Sequence, residues 1–293
     1  MDNGKTQRQS AREKIAQQRA ARQQQRRRLL LAGGSALVVL AIVGTFVGVK
    51  LAGGNSGVAG PSPKYSTSDK VTTAISTVPP STLNAVGAGA ATPLIPTKGQ
   101  PLLTSGGKPE VLYVGGEFCP FCAAQRWAMV VALSHFGVLS GLRYIHSSST
   151  DVYPNTPTLS FYKSGYASQY LTFTPVEWYN TTHGVLQPPT SAQLALFKKY
   201  DGPPYVPNAD AGSFPFVNFG NQALLIGSQY QPAAFAGLTW SQVAAAIRNP
   251  STTIAKEVNG AANRMTAELC KLTHGKPGVA CDAAGVKAAA SAR

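Results

Sequence analysis

At 293 residues the chain can hold one large domain or two small ones, and 44% hydrophobic residues supply the material for a core. The formal net charge of +14 is concentrated at one end: residues 1–28 carry nine Lys or Arg against Asp2 and Glu13, and the rest of the surplus is diluted over the remaining chain. That pattern excludes a chain that is basic throughout; the charge is a tail property and gives little ground for nucleic-acid binding.

Residues 29–49 follow as an uncharged run, long enough for about 30 Å of helix, the thickness of a bilayer core. Arg26-Arg27-Arg28 precede it and only Lys50 lies directly after, so the positive-inside rule predicts a single transmembrane helix with residues 1–28 in the cytoplasm and everything beyond outside. A cleaved signal peptide is the competing reading, but its apolar core is normally 7–15 residues, and this run is longer. The basic tail is expected to lie along anionic headgroups. Residues 50–80 are rich in Gly, Ala, Ser, Thr and Pro and read as a flexible linker, with a folded domain over 81–293. Leu83-Asn84-Ala85-Val86 and Leu94-Ile95 are candidates for a short helix and an edge strand at the start of that domain.

Val111-Leu112-Tyr113-Val114 reads as a short buried strand, and 121–136 as a helix stopped by Gly137. Leu142 to His146 reads as a second strand, so the spacing predicts a βαβ unit with a parallel pair. Ser147 to Pro157 is a loop; 158–162 and 170–174 alternate at strand period and are expected to form a hairpin. Thr190 caps a helix to about Tyr200, and another loop runs to Gly212. Phe216–Phe219 and Ala223–Ile226 flank Gly220-Asn221, a dipeptide suited to a tight hairpin. Helices are predicted at 240–247, after Thr239, and from Ser251 to Cys270, ended by Gly275 and Pro277.

The stretch that organises this order is Gly115-Gly116-Glu117-Phe118-Cys119-Pro120-Phe121-Cys122, at a strand-to-helix junction. The spacing puts Cys119 at the helix N-terminus and Cys122 one turn in, within reach of a disulfide. Unpaired amides and the positive dipole end there are expected to lower the Cys119 pKa and make it the attacking group. Pro120 is tolerated because the first turn needs no donor from it. Two other readings of the pair are half a zinc site and an inert structural disulfide. Zinc needs two more ligands, yet Cys270 and Cys281 lack knuckle spacing and His135, His146, His183 and His274 show no paired spacing. Neither a metal nor a cofactor is implied.

With these residues in view, the sequence resembles the thioredoxin superfamily. Val111 to Cys122 is similar to that family's active-site strand and turn, with Glu117 and Phe118 just before the first cysteine. Ser213-Phe214-Pro215-Phe216-Val217, with Gly227 beyond the hairpin, is similar to its cis-proline loop. Cys-Pro-Phe-Cys-Ala-Ala-Gln-Arg-Trp-Ala more closely resembles a group of uncharacterised, membrane-anchored prokaryotic proteins catalogued as a domain of unknown function. The resemblance implies an α/β, thioredoxin-like fold, with an insertion between the βαβ unit and the hairpin. It implies that Cys119 attacks and Cys122 resolves a mixed disulfide. It also implies that Phe214–Pro215 is a cis bond beside the pair, where the Phe214 backbone binds an extended substrate. The bland reading of Pro215 is a trans proline opening an edge strand.

Glu117 is a candidate to tune the pair or relay a proton, against a solvated loop acid. Arg126, four residues after Cys122 and seven after Cys119, shares their helical face and is a candidate to raise the local potential or to anchor a carboxylate such as Glu117; a structural ion pair is the alternative. Cys270 and Cys281, 11 apart, read as a structural disulfide in an oxidising compartment, worth roughly 2–3 kcal/mol, or as a second pair relaying electrons. The expected function is extracytoplasmic thiol–disulfide exchange with exported thiol or disulfide proteins, and a membrane redox partner is a further candidate. A non-catalytic peptide-binding module and a reductase dedicated to one partner, such as a metalloprotein maturation system, are the alternatives. The Pro-Phe dipeptide between the cysteines leaves the direction of electron flow open.

Overall fold

The computed structural model describes residues 66–67 and 69–292; the tail and the apolar run at 29–49 lie outside them. Among the described residues no helix is long and apolar enough to cross a membrane. The fold is mixed α/β with a central mixed sheet. After a short strand β1 (Ser66–Thr67), helix α1 (Asp69–Ser76) buries Val71 and Ile75, four residues apart on one face, in the main core. Packing therefore starts about ten residues before the boundary read at 80; two apolar residues in a Ser/Thr-rich stretch had hidden the helix. Helix α2 (Pro80–Val86) and β2 (Ile95–Pro96) fall where the sequence placed a short helix and an edge strand.

Strand β3 (Thr104–Ser105) turns through Gly106 and Gly107, at φ 57° and 74°, into β4 (Lys108–Gly116). Helix α3 (Pro120–Ser134) follows, buried along nearly its whole length. Then come β5 (Val138–Ser140), β6 (Arg143–His146), β7 (Pro157–Ser160), β8 (Gly165–Ala167) and β9 (Thr172–Tyr179). Helix α4 (Ser191–Tyr200) begins with a capping box between Thr190 and Gln193. Strands β10 (Phe216–Phe219) and β11 (Ala223–Ile226) form the expected hairpin, with Gly220 and Asn221 both at φ 59°, as a two-residue turn with both central residues left-handed requires. Helices α5 (Trp240–Ile247), α6 (Thr253–Leu272), α7 (Gly278–Cys281) and α8 (Ala284–Ser291) complete the chain, α5 and α6 capped by Thr239 and Thr252.

The central sheet corrects the expected topology. Its main order is β2-β11-β10-β4, and the parallel partner of β4 is β9, paired from Glu110↔Thr172 to Gly116↔Tyr179, not the strand at 142–146. That strand, β6, instead pairs antiparallel with β7 and β1 in a separate sheet. The expected 158–162/170–174 hairpin is also replaced: β7 turns back on β6, and β8 pairs with β5. The physical reason lies in burial. Val111–Val114 are buried on both faces, and a parallel partner must be too. Strand β9 offers eight residues with Phe173, Val176 and Glu177 inside, whereas β6 has four and ends in an exposed His146. The insertion thus sits inside the crossover, between α3 and β9, rather than between the βαβ unit and the hairpin. Alternation along β4 splits the core. Val111 and Tyr113 face a cluster with Trp127 and Phe161, and Leu112 and Val114 a cluster with Phe197 and Phe216.

Candidate active site

Strand β4 delivers Gly115 and Gly116 to the start of α3, and Cys119 is the N-cap of that helix. Its sulfur accepts the Cys122 amide at 3.4 Å, with Pro120 at the first helical position. Both cysteines are free thiols. Cys122 is fully buried and Cys119 is 6% exposed, so Cys119 forms the edge of the pair that solvent reaches. Phe214–Pro215 is cis and lies against this edge: Cys119 Sγ is 3.8 Å from the Phe214 carbonyl oxygen.

At Cys119 burial works against the helix terminus. Burial pushes the Cys119 thiol well up, and its hydrogen bond with Cys122 adds to that. Burial would push Cys122 up too. There the hydrogen bond from Cys119, the Arg126 guanidinium and the Gly116 backbone outweigh it and hold the thiol below its ordinary value.

Arg126 is fully buried, one turn beyond Cys122, and its carboxylate partner is Glu177 rather than Glu117. Nε and Nη2 donate to Glu177 at 2.8 and 2.7 Å, a fork that fits a carboxylate. Nη2 also donates to the Gly116 carbonyl at 2.9 Å, while Nη1 has no hydrogen-bond partner. Glu117 is not a solvated loop acid: it is fully buried and accepts from Ser160 Oγ at 2.5 Å. Tyr113 lies under the guanidinium, 5.9 Å from ring centroid to Cζ. Its hydroxyl, pushed well up by burial, sits beside the Cys122 sulfur without reaching hydrogen-bond geometry. Gly115 is held to hydrogen by these neighbours: a Cβ there would overlap Tyr113 Oη and lie 3.1 Å from Cys122 Sγ.

Aromatic rings border the Cys119 edge. Phe118 packs on His183 at 4.1 Å between centroids, and on Tyr179 and Phe214 at 6.1 and 6.4 Å. A cleft of about 480 Å³ opens nearby between Tyr144–Ser149, Thr181–Thr182 and Trp240; the Ser148 amide ties its wall to the cysteine loop by donating to the Phe118 carbonyl at 2.8 Å. Behind the Phe214 loop, Asp201 is buried with neither carboxylate oxygen in hydrogen-bond geometry, the Gly212 and Ser213 amides being its nearest donors. Burial raises its pKa to about 7.

Cys119, Cys122, Glu117, Arg126, Phe214 and Pro215 are thus brought together, while Cys270 and Cys281 form a disulfide between the end of α6 and α7. Sequence reading missed Glu177, Tyr113, Asp201 and the aromatic rim. Glu177 had a signal: it is an acid inside the apolar run Val176-Glu177-Trp178-Tyr179, where a buried charge calls for a cation. Among the described residues no cluster of three or more His, Cys, Asp or Glu is placed to hold a metal ion.

A protein-family model described as a domain of unknown function (DUF929) matches residues 98–271, more than half of the chain. No curated protein and no solved structure matches it.

Proposed function

We propose that this chain, which belongs to the DUF929 family, is a thioredoxin-like thiol–disulfide oxidoreductase for exported proteins, held outside the cytoplasmic membrane by residues 29–49. The observation that carries the reading is the meeting of Cys119 Sγ with the Phe214 carbonyl, two loops 95 residues apart in sequence. It puts the sulfur of the less buried cysteine beside the backbone that opens β10. A substrate segment laid in extended form along Phe214 would bring its own sulfur to Cys119, using main-chain hydrogen bonds for affinity. The sheet supports the same reading: the cysteine strand lies between a parallel strand, β9, and an antiparallel hairpin, β10–β11, whose entry carries Phe214 and Pro215. Cys119 forms the mixed disulfide because it is the sulfur a partner can touch, and Cys122, one turn inward, resolves it.

The test is trapping. In cells producing the full chain, Cys122→Ser should accumulate mixed disulfides that collapse on reduction, and Cys119→Ser should accumulate far fewer. Equal trapping by both overturns the roles. Trapping by neither leaves an inert binding module in place of the enzyme.

A further inference from the structure

We propose that Arg126 anchors the negative charge of the reduced pair on the Cys122 sulfur, so that the Cys119–Cys122 disulfide works as an electron acceptor and its substrates are exported dithiols. This rests on the oxidoreductase reading above and gives it a direction.

The spacing puts the inner cysteine nearer to Arg126. Arg126 follows Cys122 by one helical turn on the same face, and both side chains have no solvent exposure. Two of its nitrogens are committed to Glu177 and the Gly116 carbonyl, and Nη1 is left without an acceptor. A buried cation with an unspent N–H favours an anion nearby. The Gly116 backbone joins the two residues, accepting from Arg126 and supporting the Cys122 sulfur. The acid–base directions agree: Cys122 is held down, with Arg126 among the causes, and Cys119 is pushed up. Glu177 opposes Arg126 at Cys122, but more weakly.

The exchange then runs as follows. A substrate thiolate attacks Cys119 Sγ, the Cys119–Cys122 bond breaks, and Cys122 leaves as the thiolate that Arg126 holds. The substrate's second thiolate attacks its own sulfur in the mixed disulfide, and Cys119 leaves and takes up a proton. The substrate loses two electrons and two protons; the pair gains both electrons and one proton, and the other proton goes to solvent. A second protein disulfide of higher potential, the candidate membrane partner, reverses these steps to restore the pair. A leaving thiol of lower pKa leaves faster, and stabilising the reduced form makes the disulfide more oxidising.

Equilibrating the full chain with glutathione buffers reads the direction. Arg126→Gln should shift the pair at least tenfold toward the disulfide and move the ultraviolet thiolate titration to higher pH, and Arg126→Lys should restore most of both. Glu177→Gln removes the opposing charge and should shift the pair the other way, toward the dithiol. A merely structural role for the ion pair would not give shifts of opposite sign. If Arg126→Gln fails to fold, Glu177→Gln decides alone: no shift, or a shift toward the disulfide, overturns the proposal. An unshifted equilibrium in a protein whose Cys122→Ser form still traps partners sinks the role of Arg126 and leaves the oxidoreductase reading standing.

Discussion

The two cysteine pairs of this chain contrast in what surrounds them. Cys270 and Cys281 lie 11 residues apart, half-buried, between the end of a long helix and a short one, and are closed as a disulfide. Cys119 and Cys122 lie three apart at a helix N-terminus, more deeply buried, and are thiols. Both settings hold buried polar atoms without hydrogen-bond partners, Arg264 Nε and Thr266 Oγ1 on the helix that leads to Cys270, and Arg126 Nη1 and Tyr113 Oη beside Cys122; the second alone adds a fully buried ion pair and a buried acid behind the adjoining loop. Unpaired buried polar groups are destabilising. The contrast teaches that buried charge, rather than unpaired polar atoms as such, sets the surroundings of Cys119 and Cys122 apart.

Three measurements can break or sharpen that contrast. The largest effect is expected at Asp201. Its folded pKa, about 7, lies above the unfolded value near 3.9, so between these values the folded state keeps a proton that the unfolded state has lost. Its contribution is fully present below about pH 4 and is lost as pH rises through about 7. Relative to Asp201→Asn, the parent should lose on the order of 3 kcal/mol between pH 4 and pH 8. Urea midpoints at the two pH values check this, and parallel profiles would refute the cost assigned to this acid.

Next is the other pair. Cys270→Ser with Cys281→Ser frees a short loop and should lower unfolding free energy by about 2–3 kcal/mol. Thiol exchange at Cys119 should keep its rate under native conditions. Loss of exchange without unfolding would make this pair a relay and erase the distinction between the two regions.

The smallest is Gly115→Ala. The new methyl must displace Tyr113 Oη and crowd Cys122 Sγ, with no flexible side-chain end to give way. About 1–3 kcal/mol of stability should be lost, with exchange slowed about tenfold, equivalent to about 1.4 kcal/mol in the barrier. A variant as stable and as fast as the parent would show that this packing does not hold the pair.

Legibility in the sequence followed the range of the interaction. The cysteine turn, α3 within two residues, the Gly220-Asn221 hairpin and the Thr239-capped helix are local patterns, and each is where its residues put it. Phe214 beside Cys119 was legible only through resemblance, because nothing local at Pro215 points 95 residues back. The partner of β4 was misread because strands of four and eight residues compete for one edge, and the winner is decided by burial on both faces. Arg126 was placed on the right face but given the wrong carboxylate for the same reason: Glu177 arrives on the strand that was not expected to pair there. The electrostatics of the cysteines were legible only in part, because helix dipole and spacing are visible in sequence, whereas desolvation of Cys119 and the guanidinium behind Cys122 appear only on folding.

The insertion in the crossover also sets an order of events in time. Strand β4 meets its parallel neighbour about 60 residues later, at Thr172, and its antiparallel neighbour about 100 residues later, at Phe216. Such long-range closure is slow compared with local helix formation. On the placement proposed above, outside the membrane, a chain delivered from its N-terminus would present Cys119 and Cys122 to the oxidants of that compartment before the strands that will shelter them have arrived. Cys270 and Cys281 emerge last and within moments of each other. In that setting the newly made protein would meet oxidising chemistry first at the pair proposed to exchange.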